Sequence, residues 1–582
     1  MPTEHRLAIT IKGGVSLGAY EAGALKQTLL LIANNNSIPG SIKWYVDVIT
    51  GASAGSMTAA MTGLALIAGS SLNPPDPFYQ AWVQGVSVSA MLPRAQGDQG
   101  YNLFDATALD RIAASNIRLP LTVTQPHPAL KPSNPLVKLL FTLSRLQTDP
   151  TKVDTWAGDL QYKEFADSAR FDLGLVTNRG AIPNPTNPTV AAYAVLTDGD
   201  TSAPSGVDNV VSDLSSAWNA LVSAAITSGS FPIAFAPRCL RRWINGGWID
   251  VNYVDGGLYD NDPLGEAINL AHDVDWSDDA LKDSDRRFLV VHTEPSDTSG
   301  RTLSANTSAL LEVEVLDAIK TILSGFVLES QTSGLRGIQP INDQVDQRLE
   351  VLRSIATALS GIQPATRYTG AIEVLRVARN LTPKQISDFR GWLIPDLQFA
   401  DDLLFQQVSG LNAAEIESFL DLALLYDLSS NLVDKVKIKP ILVAPPSGSS
   451  LSGDPLYGFA GFFDVALRAR DFQQGMWDAY QAWKQVSLAV DDRGRSIGDF
   501  DMTGTIPPPD PQSAKAIDLD SLTQYKDELE DFRQRVKIVL DSLSTELDSG
   551  TGLLSDAKAL VLKKLLEAGG DSAIDEGLKN SD

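Results

Sequence analysis

A three-layer α/β/α fold on a mostly parallel central sheet, with helical insertions and a helical C-terminal extension, is what this 582-residue sequence predicts. Three observations lead there. Short apolar runs at 7–11, 45–50, 171–176 and 190–196 read as strands. Stretches with helical spacing of apolar residues alternate with these runs, which implies a parallel sheet covered on both faces. Glycines mark two strand-to-helix turns, at Lys12–Gly18 and at Gly51–Gly55.

Taken in order, strand 7–11 leads through Gly13, Gly14 and Gly18 into a helix carrying Ala22, Leu25, Leu29 and Ile32 on one face. Strand 45–50 runs into Gly51-Ala52-Ser53-Ala54-Gly55, and a helix is expected from Met57 to Ala68. Residues 73–167 are rich in proline and read as an inserted cap with short helices. A helix follows at 213–227, with Leu214, Trp218, Leu221, Val222 and Ala225 on one face. Asn245-Gly246-Gly247 marks a hairpin turn, and 288–291 is a further buried strand. The expected boundaries are a catalytic core at 1–300, a helical insertion at 301–435 and a closing part of the core at 436–490. A proline-rich linker at 491–514 and a helical extension at 515–582 complete the chain. In that extension Leu522, Tyr525, Leu529, Phe532, Val536, Val539 and Leu543 keep a three-to-four spacing. A docked helical hairpin and a homodimer seam both fit that pattern.

The chemistry-bearing residues sit at the turns. In Gly-Ala-Ser53-Ala-Gly the two glycines permit a tight strand-to-helix turn. The turn lifts the serine hydroxyl above the sheet and aims backbone N–H groups at a developing oxyanion. The loop after the first strand presents free N–H groups at a helix start, which suits an anion. Tyr253-Val254-Asp255-Gly256-Gly257 ends another apolar stretch, and glycines beside Asp255 let its carboxylate approach a nucleophile closely.

These three pieces, in this order, resemble the patatin-like phospholipases, a family of lipid acyl hydrolases. Ser228-Gly229-Ser230-Phe231-Pro232-Ile233-Ala234-Phe235-Ala236-Pro237 is similar to that family's segment ahead of the aspartate, and Asn261-Asp262-Pro263 to its Asn-x-Pro tail. The resemblance implies Ser53 as nucleophile and Asp255 as general base. It also implies an oxyanion hole from Gly13, Gly14, Val15 and Ala54, with Gly18, Gly51, Gly55, Gly256, Gly257 and Asn261 shaping the site. The family's loop carries a third glycine and then Arg or Lys two residues on. Val15 and Leu17 stand there in this sequence, so the loop brings backbone donors without a cation.

Composition narrows the partners. The formal net charge of −24 argues against nucleic acid and against long-range attraction to anionic bilayers. The single cysteine, Cys239, rules out an internal disulfide framework and suits a reducing compartment. No His/Cys metal-ligand spacing appears, so neither metal nor cofactor is expected. No conventional signal peptide is visible, and the uncharged run 48–75 is interrupted by the serine turn. The expected setting is cytoplasmic, peripheral at a membrane or micelle surface that offers a lipid ester. Arg238, Arg241, Arg242, Trp243 and Trp248 are candidate interface residues there. Two rival readings remain at this stage: a Ser-Asp-His esterase using His292, and a non-catalytic lipid-binding scaffold on the same fold.

Overall fold

The computed structural model describes most of residues 4–69, 76–92, 102–176, 191–196, 214–277, 284–293, 342–357, 369–430, 441–446, 460–489 and 500–511. The chain divides into two compact units, residues 1–334 with 440–582, and residues 335–439.

In the first unit the strands are β1 (Glu4–Ile11), β2 (Lys43–Gly51), β3 (Leu136–Arg145), β4 (Pro150–Thr155), β5 (Gly158–Lys163) and β6 (Ala166–Val176). They continue with β7 (Ala191–Leu196), β8 (Arg238–Ile244), β9 (Gly247–Asp255), β10 (Ser284–Val291) and β11 (Ile441–Val443). The main sheet has the order β11-β10-β1-β2-β3-β6-β7, with β9 also pairing β3 and β8 pairing β9. Pairings from β11 to β3 are parallel, whereas β3–β6, β6–β7, β3–β9 and β8–β9 are antiparallel. Helices cover both faces, as the alternating pattern predicts. The main helices of this unit are α1 (Gly18–Ser37), α2 (Ala54–Ala68), α3 (Ala106–Asn116), α4 (Leu214–Ser228), α5 (Leu264–Ser277) and α6 (Val465–Ser487).

The central strands are apolar because the sheet is covered on both faces. Leu7, Ala8, Ile9 and Ile11 of β1 and Val46, Val48 and Ile49 of β2 are all buried. The register pairs Ile11 with Gly51, so the chain leaves β1 and β2 side by side at the same edge of the sheet. That edge, at the carboxyl ends of parallel strands, is where α/β sheets hold their ligands. The described part of the uncharged run, 48–69, resolves into the end of β2, the serine turn and the buried helix α2. Among the described residues no helix is long and apolar enough to cross a membrane.

The proline-rich segment 73–167 differs from the expected cap. Short helices occur at Pro77–Tyr79 and Val88–Met91, with α3 after them, but β3 is a core strand paired parallel to β2, and β4 and β5 form a hairpin. All of the segment's prolines but Pro150 precede β3, and none interrupts it. Val137, Leu139, Leu140, Phe141 and Leu143 are buried on both faces, which gives a run without the alternation that marks a half-exposed strand. Within the closing part of the core, β11 pairs parallel to β10.

Helix α6 belongs to this core. A methyl group added to Gly475 would lie 2.0 Å from the Tyr20 carbonyl oxygen, and one on Gly23 would lie 2.0 Å from that of Phe472. The two glycines therefore let the α1 and α6 backbones touch. Arg468, buried on α6, donates through Nε to Val83 O (2.9 Å) and through Nη1 to Gly461 O (2.6 Å), tying the turn at 460–462 to the segment Gln80–Gly85.

The second unit is helical where described, at 342–357, Thr369–Ala378, Asp402–Ser409 and Ala413–Ser430. Leu352, Leu404, Phe419, Leu424 and Leu428 form its core. The expected helical extension at 515–582, and with it the homodimer seam, lies outside the described residues apart from isolated positions such as Arg535, which donates to Asn102 O (2.8 Å).

Candidate active site

Ser53 caps α2 with φ +50° and ψ −123°. Among the described residues only Ser53 and Val15 are non-glycine residues at positive φ, and both lie at the sheet edge just described. Such backbone costs about 1–3 kcal/mol per residue and persists only where its surroundings enforce it. Here the enforcement is visible. A methyl on Gly55 would lie 2.5 Å from the Ile11 carbonyl oxygen, so the turn packs directly on the end of β1. Ala52 N–H donates to that same carbonyl (3.1 Å), and Gly55 N–H returns to Ala52 O (2.8 Å).

Asp255 ends β9, where β9 pairs with β3 at Leu143. Its Oδ2 accepts the Ser53 hydroxyl at 2.7 Å, and its Oδ1 accepts the Gly257 N–H at 2.7 Å. The carboxyl is 2% exposed, and burial pushes its pKa up from 3.8 to about 7 although the Ser53 and Gly257 bonds pull the other way. A carboxylate with a near-neutral pKa, in contact with a hydroxyl, matches the requirement for a general base at physiological pH. Sequence position alone showed neither the contact nor the shift.

The loop after β1 corrects one expectation. Gly13 N–H donates to Asn261 O (3.3 Å), so Gly13 is not an oxyanion donor. Its contribution is space: an added methyl would lie 2.2 Å from Asn261 Oδ1 and 2.8 Å from Ser53 Cβ. Asn261 thus fills the gap between Gly13 and Gly257, whose own added methyl would meet the same Oδ1 at 2.4 Å. Among the described residues the N–H groups of Gly14, Val15 and Ala54 meet no protein acceptor. Those of Val15 and Ala54 belong to residues that line one cavity with Ser53. Leu17, at the family's cation position, is buried, and so is Lys12. Beneath the loop Glu21 is fully buried. Burial raises its pKa, while the Thr58 hydroxyl and the Lys12 charge act against that rise.

The segment ahead of Asp255 does more than pack. Ser228 Oγ accepts the Ser53 N–H (3.0 Å), and Ser56 Oγ lies within hydrogen-bond reach of both Ser228 Oγ (2.8 Å) and Gly51 O (2.7 Å). Two residues on, Ser230 O accepts the Asp255 N–H (3.0 Å). One short segment therefore holds the backbones of both reacting residues. Ser228 was legible only as part of a motif, since nothing in sequence shows what a hydroxyl accepts. Ser228→Ala leaves the buried Ser53 N–H without an acceptor, a cost of about 1–3 kcal/mol. The expected result is a kcat lower by roughly ten- to a hundredfold with KM little changed, and substantial rescue by Ser228→Thr. Steady-state kinetics on a soluble ester checks it.

The remaining expectations sort by geometry. A triad needs an imidazole between serine and carboxylate, and the 2.7 Å Ser53–Asp255 contact leaves no room for one. His292 instead follows β10, and its backbone N–H donates to Val443 O (2.9 Å). The β8–β9 hairpin pairs Ile244 with Gly247, as Asn245-Gly246 predicts, although those two turn residues and the Trp243 and Trp248 side chains lie outside the described residues. Its arginines are mostly committed elsewhere. Arg242 is buried, donates to Ser168 O (2.7 Å) and lies 3.8 Å from Asp167, while Arg238 pairs with Asp110 (2.8 Å). Asp167 also accepts the Tyr253 hydroxyl (2.6 Å) and Arg145 Nε (2.7 Å), a brace on the strand that ends at Asp255.

An apolar cavity adjoins Ser53, lined by Val15, Met57, Trp82, Leu109, Phe231 and Phe462 among others. Phe462 comes from the turn that Arg468 fastens, so the C-terminal part of this unit contributes to the wall.

A search of the curated proteins finds no match to this chain. The family model for patatin-like phospholipase matches residues 9–268, a span holding the end of β1 and the loop after it, the serine turn, the Ser228–Ser230 segment and Asp255. With this match laid over the mostly parallel sheet and the loops at its edge, residues 9–268 form a patatin-like phospholipase domain, of a family of lipid acyl hydrolases.

Proposed function

We propose that this domain hydrolyses carboxylic esters of lipids through an acyl-Ser53 intermediate, with Asp255 as general base. The observation that carries the reading is the buried 2.7 Å hydrogen bond from the Ser53 hydroxyl to Asp255 Oδ2. A serine hydroxyl is a poor nucleophile until a base takes its proton. Ionised Asp255 takes it as Ser53 Oγ attacks the ester carbonyl. Negative charge then develops on the carbonyl oxygen, and the N–H groups of Gly14, Val15 and Ala54 are the donors for it. Ala54 begins a 15-residue helix, whose positive end adds to that stabilisation.

Collapse of this intermediate breaks the ester C–O bond, and protonated Asp255 returns its proton to the departing alkoxide. Water enters next. Asp255 removes a proton from it, the hydroxide attacks the acyl carbonyl, and Ser53 leaves with that proton while the fatty acid departs. The substrate class follows from the wall beside Ser53, which is apolar and suits an acyl chain rather than a sugar or peptide. The same reading puts the substrate at a membrane or micelle surface, with the protein a peripheral visitor from the cytoplasm.

The test is incubation of the protein with phospholipid, lysophospholipid, galactolipid and triacylglycerol, each against Ser53→Ala, with mass-spectrometric detection of released fatty acid. Release by the wild type alone supports the reading. No release from any class, and none from a soluble ester, identifies a binding protein on the same fold.

A further inference from the structure

A second cavity lies beyond the one at Ser53. Met57, Trp82, Val86 and Leu109 line both, so the two meet at these four side chains. Among the described residues the second is walled by apolar ones alone, from α2 (Ala60, Met61), α3 (Ile112, Ala113) and α4 (Val222, Ala225) among others. No charged group and no hydroxyl among the described residues contributes to it. Nothing in the hydrolytic steps uses this space, and it lies off the oxyanion loop and Asp255.

Its position along α2 gives it a meaning. Ser53 caps this helix, Met57 stands about one turn on, and Ala60 and Met61 stand about another turn beyond. Eight residues of helix rise by roughly 12 Å, about the reach of an extended decanoyl chain. An acyl group esterified to Ser53 and laid along α2 passes Met57 first and ends among Ala60, Ala113 and Ala225. Those three are the small lining residues from α2, α3 and α4, and their short side chains leave the volume that larger ones would fill.

We propose that the second cavity receives the distal half of the acyl chain, and that Ala60 and Ala225 set the chain length the enzyme prefers. The proposal rests on Ser53 being the nucleophile. The ligand is an unbranched apolar chain of medium length, because the described walls are apolar and the space beyond Ser53 follows one helix. Each methylene that leaves water for such a site is worth roughly fourfold in kcat/KM, so a filled cavity changes selectivity steeply.

The experiment compares kcat/KM for p-nitrophenyl butyrate and p-nitrophenyl decanoate in the wild type, Ala60→Phe and Ala225→Phe. The butyryl chain ends near Met57, whereas the decanoyl chain reaches the second cavity. The decanoate-to-butyrate ratio is expected to fall by roughly tenfold or more in each variant. A ratio within about twofold of wild type in either folded variant overturns the proposal. Ala225→Leu, a smaller insertion, serves if Phe is not tolerated, and its ratio is expected to fall by roughly fourfold or more. An unchanged ratio there overturns the proposal as well. Loss of butyrate hydrolysis in the wild type would instead overturn the Ser53 reading. The cavity is then tested in full-length protein by fluorescence of bound cis-parinaric acid. Displacement by decanoate that Ala60→Phe weakens several-fold supports the tail site, and binding equal to wild type refutes it.

Discussion

Ser53→Ala and Asp255→Asn are each expected to lower kcat for ester hydrolysis by about four to six orders of magnitude, with the folded state retained. The size follows from the roles. In the proposed mechanism, removing the hydroxyl removes the atom that carries the acyl group, and what is left is the activity of water beside the oxyanion donors. Asp255→Asn is the sharper variant because it changes charge without changing shape. An asparagine carbonyl can still accept the Gly257 N–H that Asp255 Oδ1 accepts at 2.7 Å, but no group remains to take the Ser53 proton. The two effects do not add, since both residues serve one proton transfer, and the double variant is expected to match Ser53→Ala. Stopped or steady-state assays on a soluble ester, with circular dichroism to confirm folding, check all three proteins.

The pH response is the second large effect, and it has two sides. Burial raises the Asp255 pKa from 3.8 to about 7, and only the ionised form can act as base. kcat/KM is therefore expected to rise with pH along a limb centred near 7, and to flatten above it. Stability moves in the opposite sense. A pKa raised on folding means that the native state favours the proton, so the contribution is complete below pH 3.8 and fades as pH climbs through about 7. At alkaline pH the fold holds a buried charge at a cost on the order of 4 kcal/mol, from the span of the shift. Asp255→Asn has no such charge. Its stability relative to wild type is expected to improve by about that amount over the whole window, from below pH 3.8 to above about pH 7. Denaturant midpoints measured across the pH range test this, and a gap that does not widen with pH contradicts the burial argument.

How much of this was readable in advance depends on whether a residue's role is local. Gly51, Gly55 and Ser53 form a turn whose geometry is set by neighbours in the chain, and the turn stands where the sequence puts it. The parallel order of the central strands followed from alternation with helices. Strand β3 did not, because being buried on both faces erased its two-residue rhythm and its surroundings are proline-rich. The positive φ of Val15 was equally hidden. A β-branched residue in that region is a genuine outlier; the sequence puts Val15 where the family has glycine, but only the packed loop shows that it keeps the positive φ. Gly13 shows the reverse error. Its place in the motif suggested a donor, yet its N–H is taken by Asn261, more than two hundred positions away. Ser228 and Glu21 belong with these, for a hydroxyl or carboxyl acquires its role from tertiary partners that no local pattern encodes.

One measurement bears on the whole account: reaction of the full-length protein with a fluorophosphonate probe, followed by mass-spectrometric mapping of the adduct and by its rate against pH. An adduct on Ser53, forming faster as pH rises through about 7 and nearly absent in Asp255→Asn, is the predicted result. An adduct on another residue, or wild-type labelling of Ser53 in Asp255→Asn, would contradict the claim that this carboxylate activates this serine.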